Sequence, residues 1–446
     1  MRTAVLRNSK ALWACRLGIL CVGLAPAMLA QDHWVATWAA SPQAARVNFP
    51  APPRPAAGAQ ATTPAPPPGN PANGNATNRA NQPPIFPPPP TFHSQTVRMI
   101  VRSSIGGRRA VVHFSNAYGS MPLHIGAAHI ALREKDSAIV AGSDRVLTFS
   151  GKPSFTIPAG AEAVSDPVDL DIPKLGDLAV SVYVPDEAAS PTNHLTGLHT
   201  TYISKEGDFT GAASIAEPST RQSWYWLSEI DVVAGADAGL IVAFGDSITD
   251  GATSTPDTDH SWPSLLAQRL AANKATADVA IVNQGISGNR LLGDGAGVSA
   301  LARFDRDVLS QPGVKWVIVL EGINDIGIGA RGGPLGTVTA EELIGAQQQL
   351  IERAHLHGIK MIGATLTPFE GAAYYNEQGE AMREAVNQWI RTSKAYDAVI
   401  DFDQGTRDTA NPKQIRPSYN IRDHLHPNND GYQAMADMVD LSMFTR

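Results

Sequence analysis

Five short apolar runs without alternation constrain what residues 236–446 can become. They are Leu240–Phe244 (LIVAF), Val279–Asn283 (VAIVN), Trp316–Leu320 (WVIVL), Lys360–Ala364 (KMIGA) and Ala398–Asp401 (AVID). A strand with one wet face alternates apolar and polar residues, whereas a strand buried on both faces does not. The segments between the runs have helical character. Thr339-Ala340-Glu341-Glu342 has the form of a capping box, Leu343, Ile344, Leu350, Ile351 and Ala354 share one face, and Gly358 follows as a stop. Glu377 to Tyr396 carries Met382, Ala385, Val386, Trp389 and Ile390 at helical spacing. Strands and helices in alternation predict an α/β unit, a parallel sheet with helices on both sides.

Residues 31–235 read as all-β. Gln95–Arg102 (QTVRMIVR) and Arg109–Ser115 (RAVVHFS) flank a Gly106-Gly107 turn and alternate roughly apolar with polar. Shorter runs follow at Arg145–Phe149, Ala163–Leu170 and Leu178–Val184, separated by Gly, Pro and Asp. Strands at this spacing predict a sandwich or jelly roll. His33–Ala40 (HWVATWAA) is a candidate strand of the same unit. Of the 33 prolines in the chain, 15 lie between Pro50 and Pro90 among Ala, Asn, Gly and Thr. Such a stretch cannot bury enough apolar surface to offset its ordering entropy, so a disordered insertion is expected at about 48–92.

The first 30 residues have the order of an export signal. Arg2, Arg7, Lys10 and Arg16 precede the apolar run Leu17–Leu24, and small-residue cleavage sites end at Ala27 and Ala30, the second being preferred. The apolar run is too short to span a bilayer, and no later segment is long enough, so stable membrane insertion is not expected. Cleavage removes both cysteines, Cys15 and Cys21, together with four basic residues. A secreted or periplasmic protein of bacterial type follows, without a disulfide framework. The formal net charge of −7 for the full chain argues against nucleic acid as a partner.

Four short motifs follow the predicted strands. Gly245-Asp246-Ser247-Ile248 comes after the first, Gly285-Ile286-Ser287-Gly288-Asn289-Arg290 after the second and Gly322-Ile323-Asn324-Asp325 after the third. Asp423-His424-Leu425-His426-Pro427 comes after the fifth and before the last helical segment. Ligands of open parallel sheets sit at the carboxyl ends of the strands, so these motifs should converge on one cleft.

In this ordered set, residues 240–446 resemble the SGNH hydrolase superfamily, also called GDSL esterases and lipases. The resemblance implies a flavodoxin-like sheet of about five parallel strands between helices. It also implies roles: Ser247 as nucleophile, His426 as base, and Asp423 orienting the imidazole. The Ser247 and Gly288 backbone N–H groups and the Asn324 side-chain amide would form the oxyanion hole. The preceding β region resembles the jelly-roll module that some exported members carry.

These roles agree with the chemistry of the residues. A serine hydroxyl is a poor nucleophile until a base removes its proton. Three-residue spacing lets Asp423 and His426 approach one serine from a single loop. Asp246 and Asp325 are expected to brace loops, and Asp250 and Arg290 to stand behind the reacting groups. The implied reaction uses no cofactor and no metal. Asp423, His424 and His426, and separately His355 and His357, are alternative metal ligands, but no HExxH pattern occurs. No Gly-x-Ser-x-Gly occurs either, which excludes the α/β-hydrolase elbow. Trp224, Trp226, Trp262, Tyr374 and Tyr375 are candidates for stacking on sugars, though core positions are the stronger expectation. Gly329–Gly336 is expected to be a mobile loop beside the site.

The expected activity is serine ester hydrolysis through an acyl-enzyme, on short acyl (O-acetyl) esters of small molecules or polysaccharides. The alternatives are a lipase or lysophospholipase on longer chains, or a carbohydrate-binding envelope protein.

Overall fold

A computed structural model describes residues 32–45, 89–329 and 338–445. The expected export signal, most of the Pro-rich insertion and nearly all of the glycine-rich loop after Ile328 lie outside the described residues.

The five apolar runs form one parallel sheet. Its strands are β1 (Gly239–Gly245), β2 (Val279–Gly285), β3 (Val314–Leu320), β4 (Lys360–Ala364) and β5 (Ala398–Ile400), in the order β2-β1-β3-β4-β5. That is the flavodoxin-like order, with the switch point between β1 and its neighbours. Every residue of β1 is buried, as a central strand covered on both faces must be. The helix Ala340–Leu356 begins with the predicted capping box, Thr339 taking the Glu342 amide while the Glu342 carboxylate takes the Thr339 amide. The helix predicted over 377–396 ends at Thr392, and its buried face departs from the apolar expectation: Ala385 is exposed, whereas Glu380, Arg383 and Asn387 are buried. Arg383 is satisfied there by Glu380, Asp403 and the Leu366 carbonyl, so ion pairing replaces apolar contact on that face.

The strand-rich region is built on two larger antiparallel sheets whose inner faces share one apolar core. In the first, Trp34–Ala39 pairs with Leu227–Val233, which pairs with Gly107–Ser115. In the second, Gln95–Arg102 lies between Asp177–Val184 and Thr201–Glu206. Val97, Met99 and Val101 from the second sheet join Val112, Phe114, Ile230 and Val232 from the first in a single cluster. The strands at Ala127–Lys135, Thr201–Glu206 and Leu227–Val233 were not among those predicted. Thr91–Phe92, at the end of the expected insertion, pairs with Ala188–Ala189 and buries Phe92.

His33–Arg446 form one compact unit. Trp34–Ala39 is a seam between the antiparallel sheets and the α/β part. Ala36 donates its amide to the Pro312 carbonyl at 3.1 Å, and Ser41 Oγ donates to Gln284 Oε1 at 2.6 Å. No helix among the described residues is long and apolar enough to cross a membrane.

Candidate active site

Ser247 is placed by the end of β1. Asp246 is extended (φ −96°, ψ −152°) and caps the short helix Ser247–Asp250 by accepting the Ile248 amide on Oδ1. The serine therefore stands as the first residue of a helix, with its own amide at the positive end of the local peptide dipoles. Its Oγ lies 2.8 Å from Nε2 of His426, and Nδ1 of His426 lies 2.6 Å from Oδ2 of Asp423.

The loop before the last helix makes this alignment possible. Asp423 Oδ1 accepts the amides of Leu425 and His426 at 3.0 and 2.9 Å, which folds the loop and aims Oδ2 at the imidazole. Arg422 and His424 take positive φ, 78° and 59°, to close the turn. Burial opposes the Asp423 charge, but the His426 ring and the two amides outweigh it, holding the carboxyl below its usual range. A carboxylate only accepts, so His426 donates from Nδ1 and presents a lone pair to Ser247 from Nε2.

The other predicted donors follow the ends of β2 and β3. Gly288 has φ +81°, a conformation that L side chains rarely adopt, and a Cβ there would meet Ala296 at 3.0 Å. Asn324 Nδ2 donates to the Asn289 carbonyl at 2.9 Å while its Oδ1 accepts from the Tyr374 hydroxyl at 3.4 Å. These two contacts orient the amide and leave its second N–H uncommitted by them. Among the described residues the Ser247 and Gly288 amides donate to no protein acceptor. Gly285 is needed for a different reason: a Cβ there would meet the Asp250 amide nitrogen at 2.2 Å.

Asp250 joins two loops. Its Oδ2 accepts the Ser287 amide at 2.8 Å and the Ser287 hydroxyl at 2.6 Å. Its Oδ1 lies 3.0 Å from His194 Nε2, a residue of the strand-rich region, and His194 Nδ1 faces the Ser41 carbonyl at 2.9 Å. Asp325 accepts the Leu291 and Leu292 amides at 2.7 and 3.0 Å and so braces the loop, as expected. Arg290 is buried, and its Nε has no acceptor among the described residues.

Buried acids lie beneath the nucleophile. Desolvation pushes Asp246 up to about 7 and Asp325 up to about 6. Glu321 is raised well above its usual value by burial and by the nearby Asp246. Arg303, fully buried, donates to the Gly245 and Gln284 carbonyls at 2.9 and 2.7 Å and to Asn289 Oδ1 at 2.8 Å. It thereby ties the ends of β1 and β2 to the glycine loop. Sequence reasoning missed His194, Arg303 and Glu321, because none of them sits in a motif. Trp224, Trp226 and Trp262 are buried, whereas Tyr374 and Tyr375 are partly exposed. His355 pairs with Asp397 at 2.8 Å, and His357 terminates its helix.

Residues 243–434 match the model of the GDSL-like Lipase/Acylhydrolase family. No curated protein matches the chain. Similar solved structures include an acetyl xylan esterase, 23% identical over 45% of this chain and 96% of that one, with TM-score 0.35. A catalytic mutant of an acetylxylan esterase from Geobacillus stearothermophilus is 22% identical over 46% and 93%, TM-score 0.37. A GDSL-like lipase from Bacteroides thetaiotaomicron is 20% identical over 46% and 87%, TM-score 0.34.

Proposed function

With residues 243–434 belonging to the GDSL-like lipase/acylhydrolase family, and the enzyme being a carboxylic ester hydrolase, we propose that it works through an acyl-enzyme formed on Ser247. The observation that carries this reading is the pair of contacts Ser247–His426 and His426–Asp423, at 2.8 and 2.6 Å. Ser247 Oγ attacks the ester carbonyl as His426 Nε2 takes the hydroxyl proton. Asp423 holds the imidazole in the required tautomer and offsets its positive charge. The oxyanion is met by the Ser247 and Gly288 amides and by the Asn324 side chain, and His426 returns the proton to the departing alcohol. Water, deprotonated by His426, then releases the acid.

For the substrate we favour short acyl groups, O-acetyl esters of carbohydrates above all. This rests on two readings of the sequence, an export signal at residues 1–30 and a jelly-roll module in the strand-rich region. Initial rates on p-nitrophenyl esters from acetate to palmitate, followed by acetate release from acetylated xylan or pectin, test it. A maximum at acetate is expected, and a maximum at long chains would transfer the assignment to a lipase. Ser247→Ala should abolish turnover on all of them.

A further inference from the structure

A second polar cluster lies on the strand-rich region. His113 stands on strand Gly107–Ser115, and Glu229 and Asp231 stand on its neighbour Leu227–Val233. Glu229 is the direct cross-strand partner of His113, and Asp231 lies two residues further along the same strand. Residues two apart on a strand share a face, so all three project from one side of the sheet. The opposite side carries Val112, Phe114, Ile230 and Val232, all fully buried in the apolar core. The segment around Arg306–Pro312 of the α/β part lies against the polar face and leaves an open cleft of about 170 Å³.

The cluster has more acceptors than donors. One ligating atom from each of His113, Glu229 and Asp231 lies within 4.8 Å of the other two. Asp231 Oδ2 faces His113 Nε2 at 2.8 Å, and Glu229 Oε2 accepts from Gln311 Nε2 at 2.7 Å. No donor faces the buried Glu229 Oε1, Asp231 Oδ1 and Gln311 Oε1 among the described residues, and the Glu229 and Asp231 carboxyls lie close enough to each other to share a proton. Asp231 is 3% exposed and Glu229 9%. Glu162, from the next strand, lines the same cleft and adds a third carboxylate. Arg306 also lines it, but its guanidinium is held by Asp307 at 2.5 and 3.0 Å and by the Tyr118 hydroxyl at 2.9 Å. Two buried carboxylates with unused oxygens need a positive charge or a proton.

We propose that His113, Glu229 and Asp231 form a divalent-cation site that joins the antiparallel sheet of Gly107–Ser115 and Leu227–Val233 to the α/β part. An imidazole nitrogen with carboxylate oxygens suits Zn²⁺ or Mn²⁺. None of the three belongs to the Ser247 site, so the ion acts on stability. The histidine pairs His355–His357 and His424–His426 are not part of this cluster.

The test is titration of untagged, chelator-treated full-length enzyme with Zn²⁺ and with Mn²⁺ by calorimetry and thermal melting. One ion per chain should bind and Tm should rise with its concentration. Asp231→Asn and His113→Ala should each weaken binding more than about tenfold while hydrolysis of p-nitrophenyl acetate is retained. Glu229→Gln, which keeps the side chain's shape, serves if either variant fails to fold, and it should weaken binding likewise. Absence of stoichiometric binding, or binding unchanged in the variants, would overturn the proposal. So would a metal-free Glu229→Gln chain that melts higher than a wild type binding no ion, since the carboxyls then share a proton instead.

Discussion

His194 Nε2 lies 3.0 Å from Asp250 Oδ1, both groups are buried, and they come from opposite sides of the seam. His194 Nδ1 faces the Ser41 carbonyl, so both ring nitrogens meet acceptors and both must donate. Burial opposes the imidazolium charge, yet Asp250 and the hydrogen bonds outweigh it and raise the His194 pKa. Because Asp250 also holds Ser287, this pair steadies the residue next to Gly288.

Replacing the imidazole should therefore disturb catalysis from outside the reacting groups. His194→Ala leaves Asp250 buried without its cation and should cost about 3–5 kcal/mol of stability. In the surviving fold, kcat should fall by up to about 10² with little change in KM, because the Gly288 amide loses its position. Steady-state kinetics and urea unfolding of the same preparation measure both effects. An unchanged kcat would show that the glycine loop holds itself. The wild-type contribution from this pair is full below the ordinary histidine pKa and is lost as pH rises through the raised one.

Asn324 is one of the three donors proposed for the oxyanion. Asn324→Ala should lower kcat by about 10²–10³ while leaving KM within a few-fold, since the donor is used mainly in the transition state. A loss confined to KM would place Asn324 in ground-state binding instead.

Asp246 gives stability a pH dependence opposite to that of a salt-bridged carboxylate. Its folded pKa is raised from an ordinary 3.8 to about 7, chiefly by burial. The folded chain therefore keeps a proton that the unfolded chain has lost. This contribution is full below the ordinary carboxylate pKa and disappears as pH rises through about 7. Asp246→Asn keeps the cap on Ile248 and stays neutral. It should be relatively most stabilising above pH 7 and should flatten the dependence of Tm on pH between about 4 and 7. Equal Tm differences from wild type across that range would show that Asp246 is ionised in the fold.

Arg303 sits under both strand ends and pairs with Asp307 at 3.0 Å, neither side chain being accessible. Arg303→Ala leaves that carboxylate and two carbonyls short of a donor, and should cost about 3–5 kcal/mol. Denaturant unfolding monitored by tryptophan fluorescence would record it. A loss below about 1 kcal/mol would mean that Arg306, which also holds Asp307, takes over.

Local chemistry made the parallel sheet readable. Val242 and Val317 lie in uninterrupted apolar runs because both faces of their strands are covered, and the runs match β1 and β3 to within two residues at each end. The capping box at Thr339 and the loop turn at Asp423 were legible for the same reason, since each is closed by residues a few positions apart. The strand Leu227–Val233 was missed although Glu229, Ile230, Asp231 and Val232 alternate polar with apolar; that its polar face is also covered, by another part of the chain, is a fact of the tertiary structure.

The order of the blocks around Ser247, Gly288, Asn324 and His426 was written in the chain, because each follows a strand whose carboxyl end must open into one crevice. Only the tertiary structure brought His194 to Asp250, Arg303 beneath β1, and His113 beside Glu229 and Asp231. Those contacts join residues far apart in sequence, and they arise from burial of polar groups at a seam, which leaves no periodic trace in the sequence.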